Sequence, residues 1–220
     1  MCTCTPEENA IIDRVLGCRR SHRKFGPGVP DKEAIDRILH AGLLAPYAAA
    51  AVGTSKDYFR RFFVVRSGSA GLKALSPLVM EKVRSMEADL EREMAKDPVL
   101  RQKADGFARR LAMIVKGGIV PGVGTAPYYI IAAERRGYPP VELQSLAHCM
   151  ENMWLKATAL GLGFQIVSVT SEMADDPAFC GVLGIRPGDW ALMGCAVGFA
   201  ADELSPAIRP PVADVTTWVE

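Results

Sequence analysis

Four cationic side chains, Arg19, Arg20, Arg23 and Lys24, lie within six residues and enclose Ser21 and His22. Guanidinium forks match phosphate oxygens in bidentate fashion, and a serine hydroxyl donates one further bond. A phosphate monoester brings about −1.5 to −2 charges near neutral pH. The run sits in a turn after a helix-like segment, where side chains can converge on one ligand. Taken alone, it reads either as a phosphate site or as a solvated basic face.

Other chemistry-bearing residues are sparse. The three histidines, His22, His40 and His148, are too far apart to predict a metal triad. His40 and His148 fall on helical patterns and are expected to pack. Cys2-x-Cys4 is either a partial metal site or two incidental thiols at a frayed end, and no second CxC or CxxC completes four ligands. Asp175-Asp176 reads as a helix start rather than a catalytic pair. Cys149 and Cys195 read as core thiols. The six cysteines are expected to be free, in a reducing, cytoplasmic setting.

The balance of 26 basic and 25 acidic residues leaves a net charge of +1. General attraction to nucleic acid or anionic membrane is therefore not expected, and any anion recognition must be local. Hydrophobic residues make up 49% of the 220, enough for a sizeable core and a subunit interface. The N-terminus has neither the basic nor the apolar region of a signal peptide. No apolar stretch approaches the roughly 20 residues of a membrane span.

The elements that must position the basic run follow from periodicity. Residues Glu7–Leu16 have helical spacing, and Gly17 is placed to end that helix. Asp31 is a good N-cap for a helix to about Leu44, closed by Pro46. Phe62-Phe63-Val64-Val65 reads as a buried strand. Leu72 to Lys116 predicts two helices split at Asp97-Pro98, with Met86, Leu90, Met94 and Leu100 inward. Gly117–Gly124 reads as a flexible loop; it precedes a strand, so it lacks the setting of a phosphate-binding turn. Tyr128–Ala133 is a second strand and Pro140–Leu160 a long helix. Phe164–Val169 is a third strand, Asp175–Leu183 a short helix and Trp190–Gly198 a fourth strand. Helices alternating with short apolar strands predict one α+β domain over residues 1–220, three layers in an α/β/α order.

Arg19-Arg20-Ser21-His22-Arg23-Lys24-Phe25 resembles the R-R-S-x-R-x-F/Y motif of the nitroreductase family. Later segments are collinear with the same family. Val29-Pro30 and Ile38–Pro46 resemble its "VP…ILxAAxLAP" segment. Glu151–Gly163 resembles its central helix and glycine turn. Leu183-Gly184-Ile185 with Ala191–Gly198 resembles its "LGI…alGy" ending, and Arg209-Pro210-Pro211 its basic C-terminal segment.

The resemblance implies a central, mainly antiparallel sheet flanked by helices, in an intertwined homodimer with two flavins at the interface. It implies that Arg19, Ser21 and Arg23 bind the phosphate and ribityl chain of FMN, with Arg20 nearby and Arg209 reaching the same phosphate. Pro46, Tyr47 and Ala48 would come from the partner subunit against the flavin. Ile166, Val167, Ser168 and Val169 would line the ring. The implied activity is hydride transfer from NAD(P)H through FMN to a nitroaromatic, quinone or related acceptor. The chemistry then belongs to the cofactor, which accounts for the lack of an acid–base constellation.

Three segments depart from the family pattern. Where it shows Ser-x-x-Asn, this chain has Tyr47 followed by Ala48–Ala51, with Ser55 and Asp57 as substitute polar groups. Where it often has a glycine near the reactive edge, this chain has Ser168-Val169, and a β-branched residue resists positive φ. Residues 78–118 form a charged excursion. The departures keep open a second reading, a flavin- or phospholigand-binding protein without efficient turnover.

Overall fold

The structure, a computed structural model, describes residues 3–47, 58–205 and 207–219. Helix α1 spans Pro6–Cys18 and begins in a reciprocal capping box between Thr5 and Glu8. It runs one residue past Gly17. Helix α2 spans Lys32–Leu43, and the Asp31 side chain accepts from the Ala34 N–H at 2.7 Å, as the sequence predicts for its start. Strand β1 covers Arg60–Arg66, β2 Tyr128–Arg135, β3 Gly163–Val167 and β4 Trp190–Gly198. Between β1 and β2 lie α3 (Ala70–Lys96) and α4 (Pro98–Gly117), divided at Asp97, whose carboxylate caps α4. Helix α5 spans Glu142–Ala159, and α6 spans Pro177–Leu183 with Asp176 as its N-cap.

The sheet order is β1-β2-β4-β3, and every pairing is antiparallel. Ile130 pairs with Cys195, which in turn faces Ile166. Strand β2 alternates between two cores, as successive side chains of a strand must. Tyr129, Ile131 and Ala133 enter one core with Leu75 and Val79 of α3 and Phe179 of α6. Ile130 and Ala132 enter the other with Ile38 of α2 and Leu146 and Met153 of α5. A sheet covered on both faces explains why β2 and β4 read as unbroken apolar runs. Met94 is buried, Met86 and Leu90 pack against the first core, and Leu100 is half-buried, so the excursion turns its predicted apolar face inward.

Three sequence expectations need correction. The third strand stops at Val167, and Ser168–Met173 form a 3-10 helix instead. Helix α6 starts at Pro177, two residues after Asp175. The Gly117–Gly124 loop is not loose, since Val120, Gly122 and Val123 are buried. Gly122 has φ +90°, and a Cβ there would stand 2.7 Å from a Val167 methyl. At Gly122 the loop passes too close to the sheet for any side chain.

No helix among the described residues is long and apolar enough to cross a membrane. The described cysteines are all free, with Cys4 and Cys18 exposed and Cys149, Cys180 and Cys195 buried. Burial pushes the Cys149 thiol up to about 12, with Arg60 opposing and Glu134 assisting. Burial also pushes the Cys180 and Cys195 thiols up. Since the thiolate is the reactive form, a thiol reagent should label Cys4 and Cys18 in the native protein. Peptide mapping should find Cys149, Cys180 and Cys195 labelled only after unfolding.

Candidate functional site

The basic run leaves α1 as an extended segment beside β3. Ser21 forms a parallel bridge with Phe164, and the His22 N–H donates to the Phe164 carbonyl at 3.0 Å. Further on, Gly26 donates to the Phe199 carbonyl and Ala201 to that of Lys24, so the run is clamped between β3 and the chain after β4. An extended backbone sends alternate side chains to opposite sides. Ser21 and Arg23 face one side, where they line a cavity; His22 faces the other.

His22 Nδ1 lies 2.8 Å from an Asp202 carboxylate oxygen. Desolvation pushes the Asp202 carboxyl up, but the bond and charge of His22 and the Arg23 N–H outweigh it. The net effect holds the carboxyl below its ordinary value. This contact pins the run to the segment after β4.

The cavity, of about 260 Å³, lies between the sheet edge and the α3–α4 pair. Ser21 and Arg23 stand on its wall together with Ile166, Val167, Ser168 and Val169. Two stretches about 145 residues apart in sequence, expected to share one ligand, thus meet at one concave site. The Arg23 guanidinium has no ion-pair partner among the described residues. The 3-10 helix that opens at Ser168 has no side-chain cap. Among the described residues no non-glycine takes a positive φ, so Val169 occupies this turn without the strain expected for a replaced glycine.

Other residues of the expected site lie elsewhere. Arg19 pairs with Glu151 at 3.2 Å and sits 4.2 Å from the centroid of the Trp154 ring. Arg20 donates through Nε to the Ser205 carbonyl at 3.0 Å, and its own carbonyl accepts from Trp154 Nε1. Tyr47 stacks on Phe59, and the Pro46 carbonyl accepts from Ser145. Arg209 is exposed on the C-terminal segment and donates to the Ile208 carbonyl. Ala48, Ser55 and Asp57 lie outside the described residues, as does Cys2. No group of three metal-binding side chains occurs among the described residues.

Two polar lining residues, Gln165 and Arg110, were not among those expected from the sequence. Gln165 is buried at 5% exposure; its Nε2 donates to the Pro121 carbonyl at 3.3 Å, and its Oε1 has no partner. Arg110 of α4 reaches the same cavity. An isolated polar residue in an apolar strand run was the available signal for Gln165. Arg110 carried none, because it lies among other charges on a solvated helix.

Comparison with known proteins shows the family and the fold. The nitroreductase family profile matches residues 17–199, from the basic run to the end of β4, and the chain belongs to the nitroreductase family. An FMN-bound nitroreductase from Bacteroides fragilis NCTC 9343 superimposes with a TM-score of 0.67 at 20% identity, over 95% of this chain and 98% of that one. An FMN-bound nitroreductase from Desulfitobacterium hafniense DCB-2 gives 0.66 at 21% identity, over 96% and 98%. Iodotyrosine deiodinase bound to FMN and 3-iodo-L-tyrosine gives 0.65 at 15% identity, over 91% and 95%. These likenesses show the α+β nitroreductase-like fold. No curated protein sequence matches the chain with significance.

Proposed function

We propose that the chain is an FMN-dependent oxidoreductase that takes reducing equivalents from NAD(P)H. The observation that carries this reading is the meeting of Ser21 and Arg23 with Ile166–Val169 around one cavity. The residues fit the cofactor. An unpaired guanidinium beside a hydroxyl suits a phosphate, and apolar side chains suit a planar ring. When bound, FMN supplies hydride exchange between NAD(P)H and a nitroaromatic, quinone or related acceptor. The protein's part is to hold and orient it. Arg23 and Ser21 fix the phosphate end, and the N–H groups of Ser168 and Val169 place donors at the ring end. Val167, Val169 and the α4 side chains keep water from the ring face.

Arg19 and Arg20 act through the scaffold in this reading, since their bonds to Glu151, Trp154 and Ser205 fix the course of the run. The working form is a homodimer in a cytoplasmic setting. Ile11, Ile12 and Leu16 of α1 and Leu44 are large, exposed and line one apolar groove with Leu155 and Ala159 of α5. Trp218 is 87% exposed on the C-terminal segment. Apolar surface on this scale marks an interface. Across it, Pro46, Tyr47 and Ala48 would approach the partner's flavin, and Arg209 would add a charge to the phosphate.

The purified protein should be yellow, or should take up FMN stoichiometrically, and sediment with the mass of two chains. Loss of a charge-assisted bond costs about 1.5–3 kcal/mol, so Arg23→Ala should weaken FMN binding roughly 10- to 150-fold, as read by flavin fluorescence. A colourless protein that takes up no FMN would sink the reading.

A further inference from the structure

The side of the basic run that turns away from the cavity is built as closely as the side that faces it. His22 lies over the start of β3, where Gly163 leaves it room. A Cβ at Gly163 would stand 3.0 Å from the His22 Cβ and 3.2 Å from that of Ala200. Beyond His22 stands Asp202, on the segment that follows β4. An Asp202 carboxylate oxygen lies 2.8 Å from His22 Nδ1, and the carboxylate also takes the Arg23 N–H. A carboxylate only accepts, so Nδ1 carries the proton and donates. The two side chains keep only 21% and 18% of their exposure, so water competes little for the contact.

Asp202 thus holds two successive residues of the run, one by its side chain and the next by its backbone. Contacts to adjacent residues fix a rotation as well as a position. Ser21 and Arg23 reach the cavity only while His22 points the other way, because an extended backbone alternates its side chains. Backbone bonds flank Arg23 on either side, from the His22 N–H to the Phe164 carbonyl and from the Ala201 N–H to the Lys24 carbonyl. The N–H of Arg23 itself goes to Asp202. Asp202 does not line the cavity, so its carboxylate stands behind the phosphate-facing residues and not among them.

We propose that Asp202, through His22 and the Arg23 N–H, is a positioning residue that keeps Ser21 and Arg23 turned to the cavity and so sets the preference for a phosphorylated flavin over its dephosphorylated form. The proposal rests on the reading of the cavity as the FMN site, and adds to it a residue that does not touch the cofactor. Its effect is confined to one end of the ligand. The ring is assigned to Ile166–Val169, on a different stretch of chain, so a disturbance at Asp202 takes affinity from the phosphate and leaves the ring alone. A side chain that only supported the fold would weaken both ends alike.

Flavin fluorescence reads the two ends separately when the full chain, freed of flavin, is titrated with FMN and with riboflavin, which lacks the phosphate. The wild type should prefer FMN by roughly tenfold or more, the worth of a charge-assisted bond. Asp202→Ala should remove most of that preference, with FMN affinity down roughly tenfold and riboflavin affinity changed less than about twofold. Asp202→Asn keeps an acceptor of the same shape and should bind FMN within about threefold of the wild type. His22→Ala leaves the Arg23 bond and should cost about threefold, and its combination with Asp202→Ala should be no weaker than Asp202→Ala alone, because both act through one carboxylate. A folded Asp202→Ala variant that keeps the preference, or that loses both flavins alike, overturns the proposal. Should that chain not fold, His22→Ala decides by the same two outcomes. An Asp202→Asn variant that has lost the preference overturns it as well. Failure of the FMN reading is seen separately, as a wild type that takes up neither flavin, and the proposal falls with it.

Discussion

Replacing Arg60 by alanine should lower the stability of the protein by about 3–5 kcal/mol, the usual cost of stranding one charge of a buried pair. Arg60 is the first residue of β1, and its side chain is inaccessible. Its Nε and Nη2 both lie 2.6 Å from Glu134 Oε1 on the neighbouring strand. Its remaining donors reach the carbonyl of Gly42, the carbonyl of Ala45 and the Ser145 hydroxyl of α5. One guanidinium thus ties the end of α2 and the first residues beyond it to the sheet and to α5. Alanine leaves the Glu134 carboxylate buried at 2% side-chain exposure without its cation. For a chain of this size the melting temperature should fall by about 10 °C. The pair Arg60→Met with Glu134→Leu should recover much of the loss, because an apolar pair of similar volume removes the stranded charge. Thermal denaturation of Arg60→Ala, together with Arg60→Met, Glu134→Leu and their double variant analysed as a cycle, checks both statements. A single variant as stable as the wild type would remove Arg60 from this role.

That network shows where the sequence was readable and where it was not. The helix start at Asp31 followed from capping chemistry, and the break between α3 and α4 from Asp97-Pro98, both acting over a few residues. The apolar strands were legible because both faces of the sheet are covered. Arg60 and Glu134 are 74 positions apart, and no periodicity marks which of many charged residues will pair inside. The basic run was recognised as a unit, yet the structure divides it. Ser21 and Arg23 turn to the cavity, Arg19 lies over Trp154 and His22 meets Asp202. An extended backbone alternates its side chains, and the run was read as a turn, so the division was lost. The ring-side segment was read one element too long. Val167 and Val169 have strand-forming side chains, but β3 has no partner beyond Gly194 on β4.

Gly194 itself should be intolerant of even a methyl group. It pairs with Val167, the last residue of β3, and with Ile131 on the other side. A Cβ at this position would stand 2.8 Å from Thr170 Cβ and 3.0 Å from a Tyr129 ring carbon, and closer still to the Thr170 hydroxyl. Thr170 is fully buried, and its hydroxyl meets the Tyr129 hydroxyl at 2.6 Å. This contact turns the chain inward immediately after Ser168 and Val169, the residues at the cavity wall. Neither neighbour can rotate away, because Tyr129 is itself 1% exposed in the core. Gly194→Ala therefore forces the 3-10 helix off the sheet. Overpacking of this kind costs about 1–3 kcal/mol, and the lost hydroxyl pair adds about 1 kcal/mol. The melting temperature should fall by about 5–10 °C. The effect on the site should exceed the effect on the fold, since the displaced segment carries the N–H donors assigned to the flavin ring. FMN affinity should drop at least tenfold, whereas Gly181→Ala, at a glycine whose Cβ meets nothing within 4 Å, should change neither quantity. If Gly194→Ala binds FMN as the wild type does, Ser168 and Val169 do not contact the ring.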